Sequence, residues 1–224
     1  MNIAASSPGA ATLALCERTD DLLAAATRAI EAAGISESPR LDAMLLLWQA
    51  TERPRPSFLA FPERSVPRLA RLEFAELVAR RVRGEPVAYI VGSSEFYSLP
   101  ILVCPDVLIP RPDTELLVEA TLARCASLRA PAVLDVGTGS GVVALAVKHS
   151  RRDVRMTALD VSPEAIEQAQ VNESFVLETP EPTVRWIVSR WFAAIPAERF
   201  DLIVSNPPYV RTADIVGGLT FEPR

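Results

Sequence analysis

Residues 132–141 read Ala-Val-Leu-Asp-Val-Gly-Thr-Gly-Ser-Gly, AVLDVGTGSG. The apolar run Ala132–Val136, which carries Asp135, has the length and composition of a buried strand. The glycines of Gly137-Thr138-Gly139-Ser140-Gly141 predict a sharp turn whose backbone can lie close against a ligand. Val142 to about His149 then reads as a helix. Working outward, residues 154–159 form a second strand ending at Asp160, and Ser162-Pro163-Glu164 starts another helix, to about Asn172. Residues 184–188 and 201–205 give a third and a fourth strand. Strands alternating with helices predict an α/β domain with a mostly parallel sheet and crossover helices. Ligands of such sheets bind beyond the carboxyl ends of the strands. Gly137–Gly141, Asp160 and Asn206 all fall there.

The loop pattern is Gly-x-Gly-x-Gly followed by Val142, which misses the Gly-x-Gly-x-x-Gly dinucleotide form. Asp160 ends the next strand, 19 residues after Gly141, placed to accept hydrogen bonds from ribose hydroxyls. No basic side chain guards the loop, and Lys148 lies too far along the helix to meet a phosphate. The pattern therefore predicts an adenosine ligand without a pyrophosphate. On the glycine loop alone a dehydrogenase stays open, as does a strand–helix turn with no ligand.

The last strand runs into Leu202–Tyr209, LIVSNPPY. Leu202–Ser205 reads as a buried strand that stops at Asn206-Pro207-Pro208-Tyr209. Two prolines have no N–H to donate and fix φ, so the turn is stiff. The residue before proline is pushed to an extended conformation, which holds Asn206 out from the strand end. What the turn offers is mostly acceptor, the Asn206 side-chain oxygen and the proline carbonyls, with the Tyr209 ring beside them. Two rigid acceptors suit the two N–H groups of a planar amide or exocyclic amine. Asn-Pro-Pro also reads simply as a strand terminator.

Toward the N-terminus the pattern is helical. Residues 1–12 read as loose. Thr19–Ala33 carries apolar residues at helical spacing and Gly34 stops it; Ser38-Pro39 opens a second helix to about Ala50, whose run Met44–Trp48 should centre a small core. Phe58–Pro62 reads as a loop or short turn. A third helix spans about Pro67 to Arg83 and stops at Gly84. Arg80, Arg81 and Arg83 in its last turn complement the helix dipole or, alternatively, form a contact surface for an acidic or RNA-associated partner. Residues 88–91, 94–97 and 99–104 are β-rich and predict a hairpin linker. Val107–Glu115, VLIPRPDTE, is a stiff approach to a helix from about Asp113 to Leu128, with Asp113 or Thr114 as N-cap. The predicted organisation is a helical domain over 1–85, a β-hairpin linker over 86–106 and an α/β domain over 107–224.

The chain has 224 residues, a hydrophobic content of 49% and no apolar run long enough to span a membrane. No basic residue precedes Arg18, so the start does not read as a secretory signal. Cys16, Cys104 and Cys125 are scattered, with neither a disulfide framework nor metal-ligand spacing, which suggests a reducing compartment. The net charge of −5 argues against electrostatic life on nucleic acid. Residues 1–85 hold 11 arginines and 11 acids; residues 86–224 hold 12 basic and 17 acidic residues and carry the whole deficit. His149, the only histidine, sits at a helix end and reads as structural.

Taken together, Gly84-Glu85-Pro86, Tyr89-Ile90-x-Gly92, Glu95-Phe96-Tyr97, Ile109-Pro110-Arg111-Pro112-Asp113-Thr114-Glu115, Asp135-x-Gly-x-Gly-x-Gly and Asn206-Pro207-Pro208-Tyr209 resemble the release-factor glutamine methyltransferases, class I enzymes that use S-adenosylmethionine. The resemblance covers about residues 17–224. It implies a Rossmann-like methyltransferase domain preceded by a small all-helical substrate-recognition domain, and N5-methylation of the glutamine in the Gly-Gly-Gln motif of peptide chain release factors. It implies that Gly137, Thr138, Gly139, Ser140 and Gly141 wrap the methionine part of the cofactor. Asp160 would hold the ribose and Trp191 would lie beside the adenine, the alternative for Trp191 being a core tryptophan. Asn206 and the Pro207 carbonyl would accept from the substrate amide, with Pro208 and Tyr209 completing the turn, and Arg111 and Thr114 would line the cofactor cleft.

The resemblance further implies a seven-stranded sheet. Only four strands are read here, so the domain is expected to be C-terminally truncated, with strand 201–205 left at an edge. Expected partners are release factors, with no direct nucleic-acid contact, no membrane and a monomeric, cytoplasmic state. Two enzymatic rivals share the motifs, a ribosomal-protein glutamine methyltransferase and a nucleic-acid adenine-N6 methyltransferase. A non-catalytic remnant that binds cofactor or release factor is the rival from another class.

Overall fold

The computed structural model describes residues 16–179 and 182–207. Two compact units divide the described chain between Val91 and Gly92. No helix among the described residues is long and apolar enough to cross a membrane.

The first unit is helical: α1 Thr19–Ala33, α2 Pro39–Thr51, α3 Pro56–Ala60, α4 Arg68–Val82 and α5 Val87–Val91. Gly34 ends α1 in the left-handed region at φ 65°. Leu22, Leu23 and Ile30 of α1 meet Leu46 and Leu47 of α2 and Phe74 and Val78 of α4 in one core, which Phe58 of α3 joins. Met44–Trp48 supplies that core only in part, since Trp48 is 36% exposed. Phe58 lies in the short helix α3, where a loop or turn was expected. Residues 88–91 were expected as strand and are helical instead, because Tyr89 and Ile90 both donate their N–H to the Pro86 carbonyl. The arginines at the C-terminal end of α4 all have partners within the chain. Arg81 is buried, with Nε 2.8 Å from Asp42 Oδ2 and Nη2 2.6 Å from the Ile35 carbonyl. Arg80 pairs with Glu85 and Arg83 with Glu76. Arg80 holds the Glu85 carboxyl below the usual carboxylate range.

The second unit begins with the antiparallel hairpin β1 Ser93–Phe96 and β2 Leu99–Leu102. Its turn residues Tyr97 and Ser98 both have positive φ, 52° and 59°, as a two-residue turn of the right twist demands. A 3₁₀ turn, Pro112–Thr114, leads into α6 Glu115–Cys125, so the helix starts and ends inside the predicted span. Then follow β3 Ala132–Val136, α7 Val142–Ser150, β4 Arg155–Asp160, α8 Pro163–Leu177, β5 Val184–Val188 and β6 Leu202–Ser205. Ser162 caps α8 by accepting the Ala165 N–H at 3.1 Å. The helix runs on past Asn172 to Leu177.

The sheet is parallel in the order β5-β4-β3-β6. The chain moves outward from β3 through β4 to β5, then returns to the other side of β3 as β6. That reversal puts a switch point between the carboxyl ends of β3 and β6, where such sheets bind ligands. Leu202–Ser205 was expected to be buried. Among the described residues β6 pairs only with β3, and of its side chains only Val204 is buried, with Ile203 53% exposed.

Candidate active site

The turn after β3 is held by the neighbouring strand. Gly137 and Thr138 donate their N–H groups to the Leu159 carbonyl at 2.8 and 3.0 Å. Asp160 then accepts the Gly139 N–H on Oδ2 at 2.9 Å and the Ser162 N–H on Oδ1 at 3.1 Å. Each carboxylate oxygen has capacity for a further donor, so Asp160 can fix the loop and still accept from a ligand. Thr138 Oγ1 donates to Asp135 Oδ2 at 2.6 Å. Burial pushes the Asp135 carboxyl up to about 6; the Thr138 hydroxyl and the Ala144 amide oppose this, and the nearby Asp160 charge adds to it.

Val136 of β3 lies opposite Ser205 of β6, and Ser205 Oγ donates to the Val136 carbonyl at 2.7 Å. The glycine turn and Asn206 thus begin one residue beyond the same register pair. Asn206 Nδ2 donates to Thr114 Oγ1 at 2.8 Å, which leaves Oδ1 as the acceptor of that amide.

Beyond the strand ends lies a cavity of about 520 Å³, within the usual range for small-molecule sites. Gly137, Thr138, Gly139, Ser140 and Asp160 line it from one side of the switch point, and Asn206 and Pro207 line it from the other. Arg111, Thr114 and Trp191 line it as well. Gly137 and Gly139 have φ 74° and 55°, and a Cβ added at either would meet nothing within 4 Å. The backbone therefore leaves room that a close-lying ligand can fill, as the cofactor implied by the motifs requires. Trp191 is not a core residue. It is 63% exposed at φ 52°, in a turn where Ser189 Oγ donates to the Trp191 carbonyl and accepts the Ala194 N–H.

Gly141 does not line the cavity. At φ 84° its missing side chain makes room for α8 and β5, since a Cβ there would stand 2.9 Å from Trp186 Cη2 and 3.0 Å from Ala169 Cβ. Pro208 and Tyr209 lie outside the described residues. Three buried polar residues behind the site had no predicted role: Asp135, Asn172 and Glu173. Glu173 accepts from the Val184 N–H at 2.9 Å and from Trp186 Nε1 at 2.6 Å, so it fixes the ring that abuts Gly141. The signal for Asn172 and Glu173 was their place in the apolar repeat Ala165, Ile166, Ala169, Leu177.

Residues 21–92 match the family described as PrmC N-terminal domain, and residues 112–220 the family described as Methyltransferase small domain. With the parallel sheet and its glycine turn, the second match defines a Rossmann-like methyltransferase. The release factor glutamine methyltransferase of Salmonella typhimurium is 43% identical over 192 residues, 84% of this chain and 68% of that protein. Those of Vibrio cholerae and Escherichia coli are 41% and 42% identical, over 90% and 84% of this chain and 70% and 68% of theirs. The chain belongs to the release factor glutamine methyltransferase family.

Proposed function

We propose that this chain transfers a methyl group from S-adenosylmethionine to the side-chain amide nitrogen of the Gly-Gly-Gln glutamine in peptide chain release factors. The observation that carries this reading is the Asn206 amide, tied through Nδ2 to Thr114 with Oδ1 left to accept, on the wall opposite the glycine turn. Residues 1–85 are the release-factor-recognising domain and residues 107–224 the catalytic one, joined through 86–106.

The residues fit the cofactor. The bare backbone of Gly137 and Gly139 would take the methionine part, Asp160 would accept from the ribose and Trp191 would offer its exposed ring to the adenine. When bound, S-adenosylmethionine supplies an electrophilic methyl on a positively charged sulfur. An amide nitrogen is a poor nucleophile because its lone pair is delocalised into the carbonyl. Asn206 Oδ1 and the Pro207 carbonyl accept both N–H groups of the substrate amide, which fixes its plane and favours lone-pair density on nitrogen. Methyl transfer would leave one extra proton on the amide nitrogen, which would pass to solvent. Catalysis then rests on positioning and fixed dipoles rather than on a strong base.

The test is transfer of labelled methyl to a purified release factor, beside the same factor with Gly-Gly-Ala in place of Gly-Gly-Gln. Label on the first and not the second is the expected result. Equal label on both overturns the glutamine assignment, and no label on either overturns the proposed activity for this chain.

A further inference from the structure

Asn172, in the middle of α8, has no part in the chemistry above, yet its side chain is fully buried, at 0% exposure. Its Oδ1 accepts the Leu102 N–H at 2.8 Å, and its Nδ2 donates to the Leu102 carbonyl at 3.0 Å and to the Ser140 carbonyl at 2.9 Å. One amide side chain thus pairs with both backbone groups at the end of β2, as a neighbouring strand would, and also grips the glycine turn. Gln168, one helical turn earlier, donates to the same Leu102 carbonyl at 3.2 Å and so holds the hairpin without gripping the glycine turn.

The other end of the hairpin is tied as well. Tyr97, in its strained turn, donates its N–H to Glu115 Oε1 at 2.8 Å, and Thr114, the adjacent residue, holds Asn206. A run of hydrogen bonds and covalent links therefore joins Ser140, Asn172, Leu102, the β1–β2 ladder, Glu115, Thr114 and Asn206. Buried amides of this kind are costly to leave half-paired, so the two sides of the junction order together.

We infer that Asn172 is a positioning residue that locks the glycine turn to the β1–β2 hairpin, so that occupancy of the cofactor site and order in the hairpin are coupled. The inference rests on the reading of the glycine turn as the S-adenosylmethionine site. By reciprocity, whatever orders the hairpin raises cofactor affinity by the same factor that the cofactor orders the hairpin.

S-adenosylhomocysteine is the probe, with calorimetry and amide hydrogen exchange on the full chain. In the wild-type protein it should slow exchange of the Leu102 N–H about fivefold or more beyond any change at the Arg155 N–H, which donates to Pro131 at the far end of the sheet. Asn172→Ala should weaken binding about tenfold or more and erase the Leu102 response, while Gln168→Ala keeps both. A merely structural role for Asn172 would lower thermal stability in both variants and leave affinity unchanged. Unchanged affinity in a folded Asn172→Ala, or no excess slowing at Leu102 in the wild type, overturns the coupling. The wild-type exchange measurement decides the matter if Asn172→Ala does not fold. No binding to the wild type at all overturns the cofactor reading, and the coupling with it.

Discussion

Replacing Gly141 by alanine should unfold the second unit far more readily than the same change at Gly137 or Gly139. All three glycines have positive φ, 84°, 74° and 55°. An L residue in that region costs about 1–2 kcal/mol. Roughly 0.4–1 kcal/mol of that is offset by the stiffer unfolded chain. For Gly137 and Gly139 nothing else is added, because no atom lies within 4 Å of the new methyl group. At Gly141 the methyl would sit 2.9 Å from Trp186 Cη2 and 3.0 Å from Ala169 Cβ, with the Ala169 Cα at 3.4 Å. Trp186 has little room to retreat, since its Nε1 is held by Glu173 at 2.6 Å, and Ala169 is part of α8. Overpacking of this kind adds about 1–3 kcal/mol. The expected losses are about 1–4.6 kcal/mol for Gly141→Ala and at most about 1.6 kcal/mol for the other two. Urea titration followed by circular dichroism measures them, and calorimetry with S-adenosylhomocysteine completes the contrast. Gly139→Ala should stay folded and lose affinity, because its methyl enters the cavity. Equal urea midpoints for Gly141→Ala and Gly137→Ala would refute the division between packing and binding glycines.

Asp135 titrates near 6 in the folded chain against an ordinary 3.8, so the folded state binds its proton more tightly than the unfolded state. Stability from this group is complete below about pH 4 and is lost as pH rises through about 6, by about 3 kcal/mol in all. The stability of the wild type relative to Asp135→Asn should fall over that window in stepped-pH urea titrations; a flat difference would contradict the assignment. Thr114→Val keeps the size of the side chain and removes the acceptor of Asn206 Nδ2. Methyl transfer should drop about tenfold, more than S-adenosylhomocysteine affinity falls, and Thr114→Ser should restore it. Asn206→Ala should abolish transfer and keep most of the cofactor affinity; near-normal turnover would sink the proposed mechanism. Glu173→Gln places an NH₂ against a cluster of donors and should lower stability by about 2–4 kcal/mol in thermal unfolding.

The strand-end residues were legible because each leaves a local mark. Glycines at 137 and 139, an acid closing the next strand at Asp160, and an Asn-Pro turn closing β6 are all patterns of near neighbours. So was the sheet, whose strands lie within about a residue of the predicted bounds. Residues 88–91 misled because Ala-Tyr-Ile-Val has strand composition, yet the carbonyl of Pro86 gathers two N–H groups and closes a helical turn. Gly141 reads like its neighbours in sequence, and only the approach of Trp186 and Ala169 separates it from them. Asn172 joins Leu102, 70 residues earlier, and Ser140, 32 residues earlier, so its role exists only once the sheet has assembled. Thr114 and Asn206 are 92 residues apart and meet for the same reason.

The pairing of Val136 with Ser205 sets a rule for which changes of chain length the protein can tolerate. The glycine turn and Asn206 both start one step past that pair. Inserting or deleting one residue within β3 or β6 therefore shifts one against the other by about 3.3 Å and turns every following side chain to the opposite face of the sheet. The segment Pro196–Phe200, between the Trp191 turn and β6, carries no such constraint on the spacing of the site. Natural length variation among relatives should accumulate in segments of that kind, and the strands should stay the same length.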